Sequence, residues 1–255
     1  MQIRTTPSIT IRDYVIGGGL TYEKPTSDKV ELQIDQALYF AFEVMDVDAY
    51  QSDINLMEDW SNDAGQGMKI EIDTEINAYD YTEVAAANAG ATAGAKSGSL
   101  NLGASGTPVA LTKANILDTL VDCGTALDEQ NVPDTDRWIK LPAWANGMLK
   151  KSDLRDANVM GDSTSVFRNG KVGMLDRFTV YISNNLSTVT DPTTTNQCTN
   201  ITFGHKKALT FAAQMTRMEN VDNPNDFGRL IRGLNVYGRK VIDPNAIGHL
   251  YAERG

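Results

Sequence analysis

The first eighty residues constrain this chain most: they read as a long two-stranded β-arm running straight into a long helix. Nothing nearby in sequence could cover the arm. In Gln2 to Tyr14, Ile3, Ile9 and Ile11 alternate with Arg4, Ser8, Thr10 and Arg12. Gly17-Gly18-Gly19 and Pro25 turn the chain. It returns with Val30, Leu32 and Ile34 against Glu31, Gln33 and Asp35, then Phe40, Phe42 and Val44 against Ala41 and Glu43. A side-chain period of two bounded by Gly and Pro is a hairpin pattern. An isolated hairpin is marginal in water, because it has no second layer to bury its apolar face. The arm is therefore expected to find its partner surface on another molecule, which makes the chain a building block.

At 255 residues the chain can bury a sizeable core as one or two domains. Its 33 acidic against 23 basic residues give a net charge of −10, which argues against a dedicated nucleic-acid reader with a basic stripe. Local contact with DNA remains open. Cys123 and Cys198 stand far apart without Cys or His neighbours at metal spacing, so they read as two reduced thiols. With His205 and His249 as the only histidines, a histidine-rich metal cluster is ruled out. No apolar signal core opens the chain and no stretch approaches the roughly 18 apolar residues of a membrane span. An intracellular protein without membrane contact is expected.

After the arm, Asp46 or Asp48 can cap a helix carried by Val47, Tyr50, Ile54, Met57, Ala64, Met68 and Ile72. Running from Val47 to about Tyr79, it would measure about 45–50 Å. Gly65 and Gly67 weaken it by roughly 1 kcal/mol each and mark a possible bend. Residues 85–108 collapse to Ala, Gly, Ser, Thr and Asn, a flexible loop or poorly ordered insertion whose deletion from Gly90 to Gly106 is expected to be tolerated. A second helix follows, capped by Thr112, with Ile116, Leu117, Leu120, Val121, Cys123 and Leu127 on its apolar face. Trp138 to Pro142 reads as a strand, Ala143 to Lys150 as a helical turn, and Gly170 to Ser183 as a strand pair that includes Val172. Thr188 to Thr199 reads as a surface loop and His205 to Met218 as a third helix. Leu234 to Tyr237 with Lys240 to Ile242 closes the chain as a strand. The class is α+β.

No constellation of catalytic residues stands out, and no cofactor is expected. Gly90-Ala91-Thr92-Ala93-Gly94-Ala95-Lys96-Ser97 nearly matches a phosphate-binding loop. It fails because a Gly must precede the Lys, where Ala95 stands, and because a helix rather than a strand leads into it. Asp222 to Gly228 imitates a calcium loop, but Pro224 and Phe227 occupy the wrong positions, so it reads as a polar turn. Asp46, Asp48, Asp53, Glu58, Asp59 and Asp63 read as a solvated helix face rather than an acid/base pair. Trp60, Trp138 and Trp144 read as core or interface residues, and Lys206, Lys207 and Arg217 as ordinary surface cations.

In order along the chain, several stretches resemble the major capsid proteins of tailed bacteriophages, the Hong Kong 97-type fold. They are Ile9-Thr10-Ile11-Arg12-Asp13-Tyr14, Leu32 to Gln36 with Tyr39-Phe40-Ala41-Phe42, and Val44 to Asp48. Leu127 to Pro133 with Arg137-Trp138, Phe178 to Asn184, Gly204 to Ala208 and Gly233 to Gly238 complete the set. The resemblance implies an extended loop over residues 1–46 and a peripheral domain over 47–131 that contains the spine helix 47–79. It further implies an axial domain over about 132–202 and a return to the sheets over 203–255. Family members usually carry an N-terminal arm before the extended loop. Met1 stands at that loop's first strand, so the arm is expected to be absent here, by truncation or by lineage.

The resemblance implies a shell subunit that self-assembles into hexamers and pentamers and encloses double-stranded DNA through weak, non-specific contact. Portal and scaffolding proteins, and a cement protein, would be partners. The chain would reside in the virion after assembly in the host bacterial cytoplasm. Ile9, Ile11, Tyr14, Tyr22, Lys24, Leu32, Ile34, Phe40 and Phe42 are the expected inter-subunit contacts, and replacing Phe40 and Phe42 by Ser is expected to abolish assembly or folding. Two alternatives stand beside this reading: a genome-free protein compartment of the same fold, and a soluble enzyme or ligand-binding domain with residues 85–108 as a lid.

Overall fold

Apart from a separate two-stranded ladder at the start of the chain, two sheets of unequal size share the strands, and one long helix is tied to both. The computed structural model describes residues 2–4, 9–26, 29–52, 55–152 and 173–255. Its chain opens with β1 (Gln2–Arg4) paired antiparallel to β2 (Lys29–Glu31), Ile3 facing Val30. β3 (Gln36–Met45) follows, then α1 (Asp46–Gln51) and α2 (Leu56–Asp80). β4 (Val109–Leu111), α3 (Ile116–Glu129), β5 (Arg137–Leu141) and α4 (Ala143–Lys151) come next. The rest is strand: β6 (Met174–Leu175), β7 (Phe178–Ile182), β8 (Thr188–Thr190), β9 (Gln197–His205), β10 (Leu209–Asp222), β11 (Gly228–Val241) and β12 (Ile247–Arg254).

The smaller sheet runs β10-β11-β3, antiparallel throughout. Its alternation does what the sequence pattern asked: even-numbered residues of β3 face α2, and Phe42 meets the Trp60 ring edge-on at 5.9 Å. Val44 and Ile231 are buried on that face. The larger sheet runs β4-β12-β9-β5-β7-β6, with β8 also on β9. α3 covers it with Ile116, Leu120, Cys123 and Leu127, spaced to share one side of a helix, against Ile139, Phe178 and Phe203. Each such side chain, fully buried, contributes about 1.5–3 kcal/mol.

The structure corrects several expectations. The first strand of the arm covers Gln2–Arg4 and not Gln2 to Tyr14, because residues 9–26 run without a ladder partner. The helix over 47–79 is two helices: Ser52 turns extended (ψ 144°) after α1, and α2 restarts at Leu56. Gly65 and Gly67 lie inside continuous helix. Val121 is exposed, off the buried face of α3. The helix read over His205 to Met218 is strand β10, whose pairing along β11 overrides the helix preference of Ala212, Ala213 and Gln214. Thr188 to Thr199 contains β8 and the start of β9. Val172 lies outside the described residues.

Residues 85–108 are the largest correction. Ala93 and Leu102 are completely buried in the main core. Ala93 pairs with Leu100 and Ala104 with Thr107. Gly103, at φ +73°, passes so close to β12 that a Cβ there would sit 2.2 Å from the Tyr251 carbonyl oxygen. Buried Asn88 ties the loop down by donating to the Asn245 and Ile247 carbonyls. Asp191, also buried, accepts from the Thr194, Gly106 and Thr193 N–H groups, and these hold its carboxyl down at about 2.

His249 on β12 stacks near Tyr81 and Tyr251, and its Nε2 lies 2.9 Å from Asn200 Oδ1. Burial lowers its pKa from 6.5 to about 4. The unfolded chain therefore binds more protons than the folded one across that window, and the stability of the free subunit should fall as pH drops from 6.5 towards 4. This single group supplies about 3 kcal/mol at most. Urea midpoints of the free subunit between these pH values check it; His249→Gln should flatten the slope, and an equal slope in both proteins would refute the assignment.

Candidate functional site

Among the described residues, what the fold presents is surface. Residues 9–26 project beyond the β1-β2 ladder, turned at Gly17 and Gly19 (φ +81° and +72°). Internal ties in this segment include Gly18 N donating to Val15 O at 3.0 Å and Thr10 N donating to Glu23 Oε1 at 2.7 Å. Ile9, Tyr14, Val15, Ile16 and Leu20 are exposed, as are Ile11 at 90% and Tyr22 at 87%. A cluster this apolar on an extended arm has the character of a contact surface.

The root of the arm is fixed instead. Leu32 is 1% exposed, and the backbone at Gln33 crosses β11 where Gly238 leaves room: a Cβ on Gly238 would lie 2.1 Å from the Gln33 carbonyl oxygen. Lys240 Nζ donates to the Glu31 carbonyl at 2.9 Å. The nine residues expected at a subunit contact thus fall into two groups. Ile9, Ile11, Tyr14, Tyr22 and Lys24 lie together on the exposed arm. Leu32, Ile34, Phe40 and Phe42 do not; Leu32 is buried and the other three are half-buried against their own chain. Phe40 and Phe42 stand on β3 over α2, not on the arm.

The face of the small sheet turned away from α2 is the second exposed surface. Strand register puts Tyr39, Ala41 and Glu43 of β3, Leu230, Arg232 and Leu234 of β11, and Arg217, Glu219 and Val221 of β10 on it. Glu219 pairs with both Arg217 and Arg232. An open groove of ≈ 550 Å³ at one end is lined by Ala41, Glu43, Val221, Pro224 and Leu230 among others. This surface was not legible beforehand, because its strand β10 read as helix.

Behind these surfaces a set of polar ties holds α2 to both sheets. Glu75 accepts from Tyr237 Oη and from Arg239 Nη1 (3.1 Å) on β11. Within the next turn and a half of α2, Lys140 of β5 reaches Asn77 and Asp80. Arg137, 1% exposed, donates to the Pro133, Val132 and Gly124 carbonyls and to Asp128, which also accepts from Arg177. The Arg137-Trp138 pair was flagged in the sequence, but nothing there indicated that Arg137 would be a buried cation.

The tempting phosphate loop is closed by its own chain. The Lys96 and Ser97 N–H groups donate to Glu129 Oε2 at 2.7 and 3.1 Å, so a carboxylate takes the place a phosphate would need. Asp46, Asp48, Glu58, Asp59 and Asp63 are exposed, and Asp53 lies outside the described residues. Among the described residues no group of acidic, Cys or His side chains could hold a metal ion, and no helix is long and apolar enough to cross a membrane. Cys123 and Cys198 are free and buried.

Comparison with known proteins bears on the family and the fold. No curated relative matches the chain in sequence. In structure it is similar to a chain of Mycobacterium phage Che8, with 23% identity and a TM-score of 0.72 over 98% of this chain and 83% of that one. It is similar to a chain of the capsid of cyanophage P-SCSP1u, with 17% identity and a TM-score of 0.70 over 100% and 84%. The SrpI encapsulin of Synechococcus elongatus shares the fold more distantly, with 12% identity and a TM-score of 0.55 over 89% and 76%. The fold is thus the Hong Kong 97-type capsid fold in its α+β form. A family model described as phage capsid protein matches residues 29–249. With most of its length inside that match, this chain belongs to the phage capsid protein family and is a structural subunit of a phage shell.

Proposed function

We propose that copies of this chain form hexamers and pentamers that close an icosahedral shell around double-stranded DNA, and that residues 9–26 of one copy lie across a neighbour. The carrying observation is the exposed apolar arm, whose Ile11 and Tyr22 touch almost nothing of their own chain. Each contact can be weak, because closed symmetry repeats it over the whole lattice. α2 with the small sheet forms the peripheral side and the large sheet the axial side. Residues 85–131 go with the axial side in this division, since Leu102, Ile116 and Leu127 share one core with Ile139 and Phe203.

The role is structural and not enzymatic. The net charge of −10 suits a wall that holds its genome by weak contact only. Portal, scaffolding and cement proteins are further partners, and the virion is the final location after assembly in the host cytoplasm. Purified chain at high concentration, imaged in negative stain, should show closed shells of uniform size, whereas monomers at every concentration would overturn the reading. Particles from infected cells should hold nuclease-protected DNA; a protein cargo without DNA would favour the compartment whose fold the encapsulin shares.

A further inference from the structure

We propose that Lys140 and Asn77 become joined by an isopeptide bond within one subunit, with Asp80 carrying the proton. Three observations converge on this cluster. Lys140 Nζ lies 2.8 Å from Asn77 Oδ1 and 2.5 Å from Asp80 Oδ2. Asn77 and Asp80, three positions apart, share one side of α2, so the amide and the acid flank the same amine. Asp80 is completely buried, and its second oxygen, Oδ1, has no hydrogen-bond partner.

That bare oxygen is the telling detail. A buried ionised carboxylate needs partners on both oxygens, whereas a neutral carboxylic acid costs far less to bury. Burial raises the pKa of Asp80, with the charge of Lys140 opposing. In the proposed step the buried carboxyl of Asp80, one oxygen unpartnered and the other in contact with Nζ, receives the proton that Lys140 gives up as it attacks. The Trp138 ring, 5.0 Å from Nζ, shields that amine from water on one side. Asn77 is oriented as an acceptor of attack: its Nδ2 donates to the Asn185 carbonyl at 3.1 Å, which keeps its oxygen towards the lysine.

The step balances without any added reagent. The Lys140 ammonium gives one proton to Asp80, and the Nζ lone pair adds to Asn77 Cγ. A second proton moves from Nζ to Nδ2, the Cγ–Nδ2 bond breaks and ammonia leaves. Asp80 then returns its proton to the ammonia, so an ammonium ion departs and the carboxylate is restored. All three side chains come from one chain, so folding alone sets the reaction going and assembly is not required. The bond would fasten α2 to β5, closing a loop between positions 63 residues apart.

The experiment is mass spectrometry on the purified, folded wild-type chain, with tryptic mapping. The expected result is a chain lighter by one ammonia and a branched peptide joining the segment of Lys140 to that of Asn77. The branched peptide decides, because an Asn succinimide or a cyclised terminal Gln also loses ammonia. Lys140→Arg retains a cation but no nucleophilic amine, and should restore the full mass. Wild-type chain aged in the folded state that yields both linear peptides and no branched one would overturn the proposal, whatever the variants do. The result is independent of shell formation, so the two readings stand or fall separately.

Discussion

Replacing Ile11 and Tyr22 by Ser should abolish shells while leaving the unfolding midpoint of the subunit unchanged. Both side chains are almost fully exposed, so the subunit loses no contact of its own. On a neighbour, each buried apolar side chain of this size contributes about 1.5–3 kcal/mol, and the loss recurs in every copy. Electron microscopy for particle yield and thermal unfolding of the free subunit read the two effects apart. Full yield would remove the arm from the interface; a lower midpoint would show that the arm packs on its own chain. Ser at Phe40 and Phe42 serves as the contrast. Phe42 rests half-buried on Trp60 within the subunit, so that pair should lower the midpoint, each change costing less than the about 3–5 kcal/mol of a fully buried Phe.

The second large effect concerns the glycine-rich segment. Deleting Gly90 to Gly106 should leave no soluble folded protein, the opposite of what its composition suggests. The deletion removes Ala93 and Leu102 from the core, and truncating one buried Leu to Ala already costs about 2–5 kcal/mol. It also strips the Gly106 N–H from Asp191 and the Lys96 and Ser97 donors from Glu129. A domain stable by only about 5–15 kcal/mol does not survive the sum. Soluble expression followed by circular dichroism checks it, and a cooperative unfolding transition in the deletion would contradict it.

These two segments show where sequence reasoning works and where it stops. Strand β3 was legible because one face is buried and the other wet, which writes a period of two into Phe40, Phe42 and Val44. Helix α3 was legible for the matching reason at a period near 3.6. Strand β9 was not, because it is buried on both faces and fills its core positions with Thr199, Asn200 and Thr202, which look like loop residues. The 85–108 segment hid in the same way: small residues mean flexibility when nothing touches them, and close packing when another backbone does. Strand β10 carries helix-forming residues and obeys its partner β11 instead. At the candidate surface, the exposed half of the expected contacts lay on the arm as read. The buried half was assigned to it because alternation alone cannot say whose helix lies underneath.

The outer edge of β10 has a consequence for how the protein ages in solution. Among the described residues no strand pairs with it, so its amides and carbonyls form an open template along Leu209–Asp222. Such borders invite runaway stacking into fibrils. Here Arg217, Glu219 and Asp222 place charge along the border, and the irregularity between Ala213 and Met215 interrupts its repeat. Both features work against edge-to-edge stacking of this polypeptide into amyloid-like ribbons.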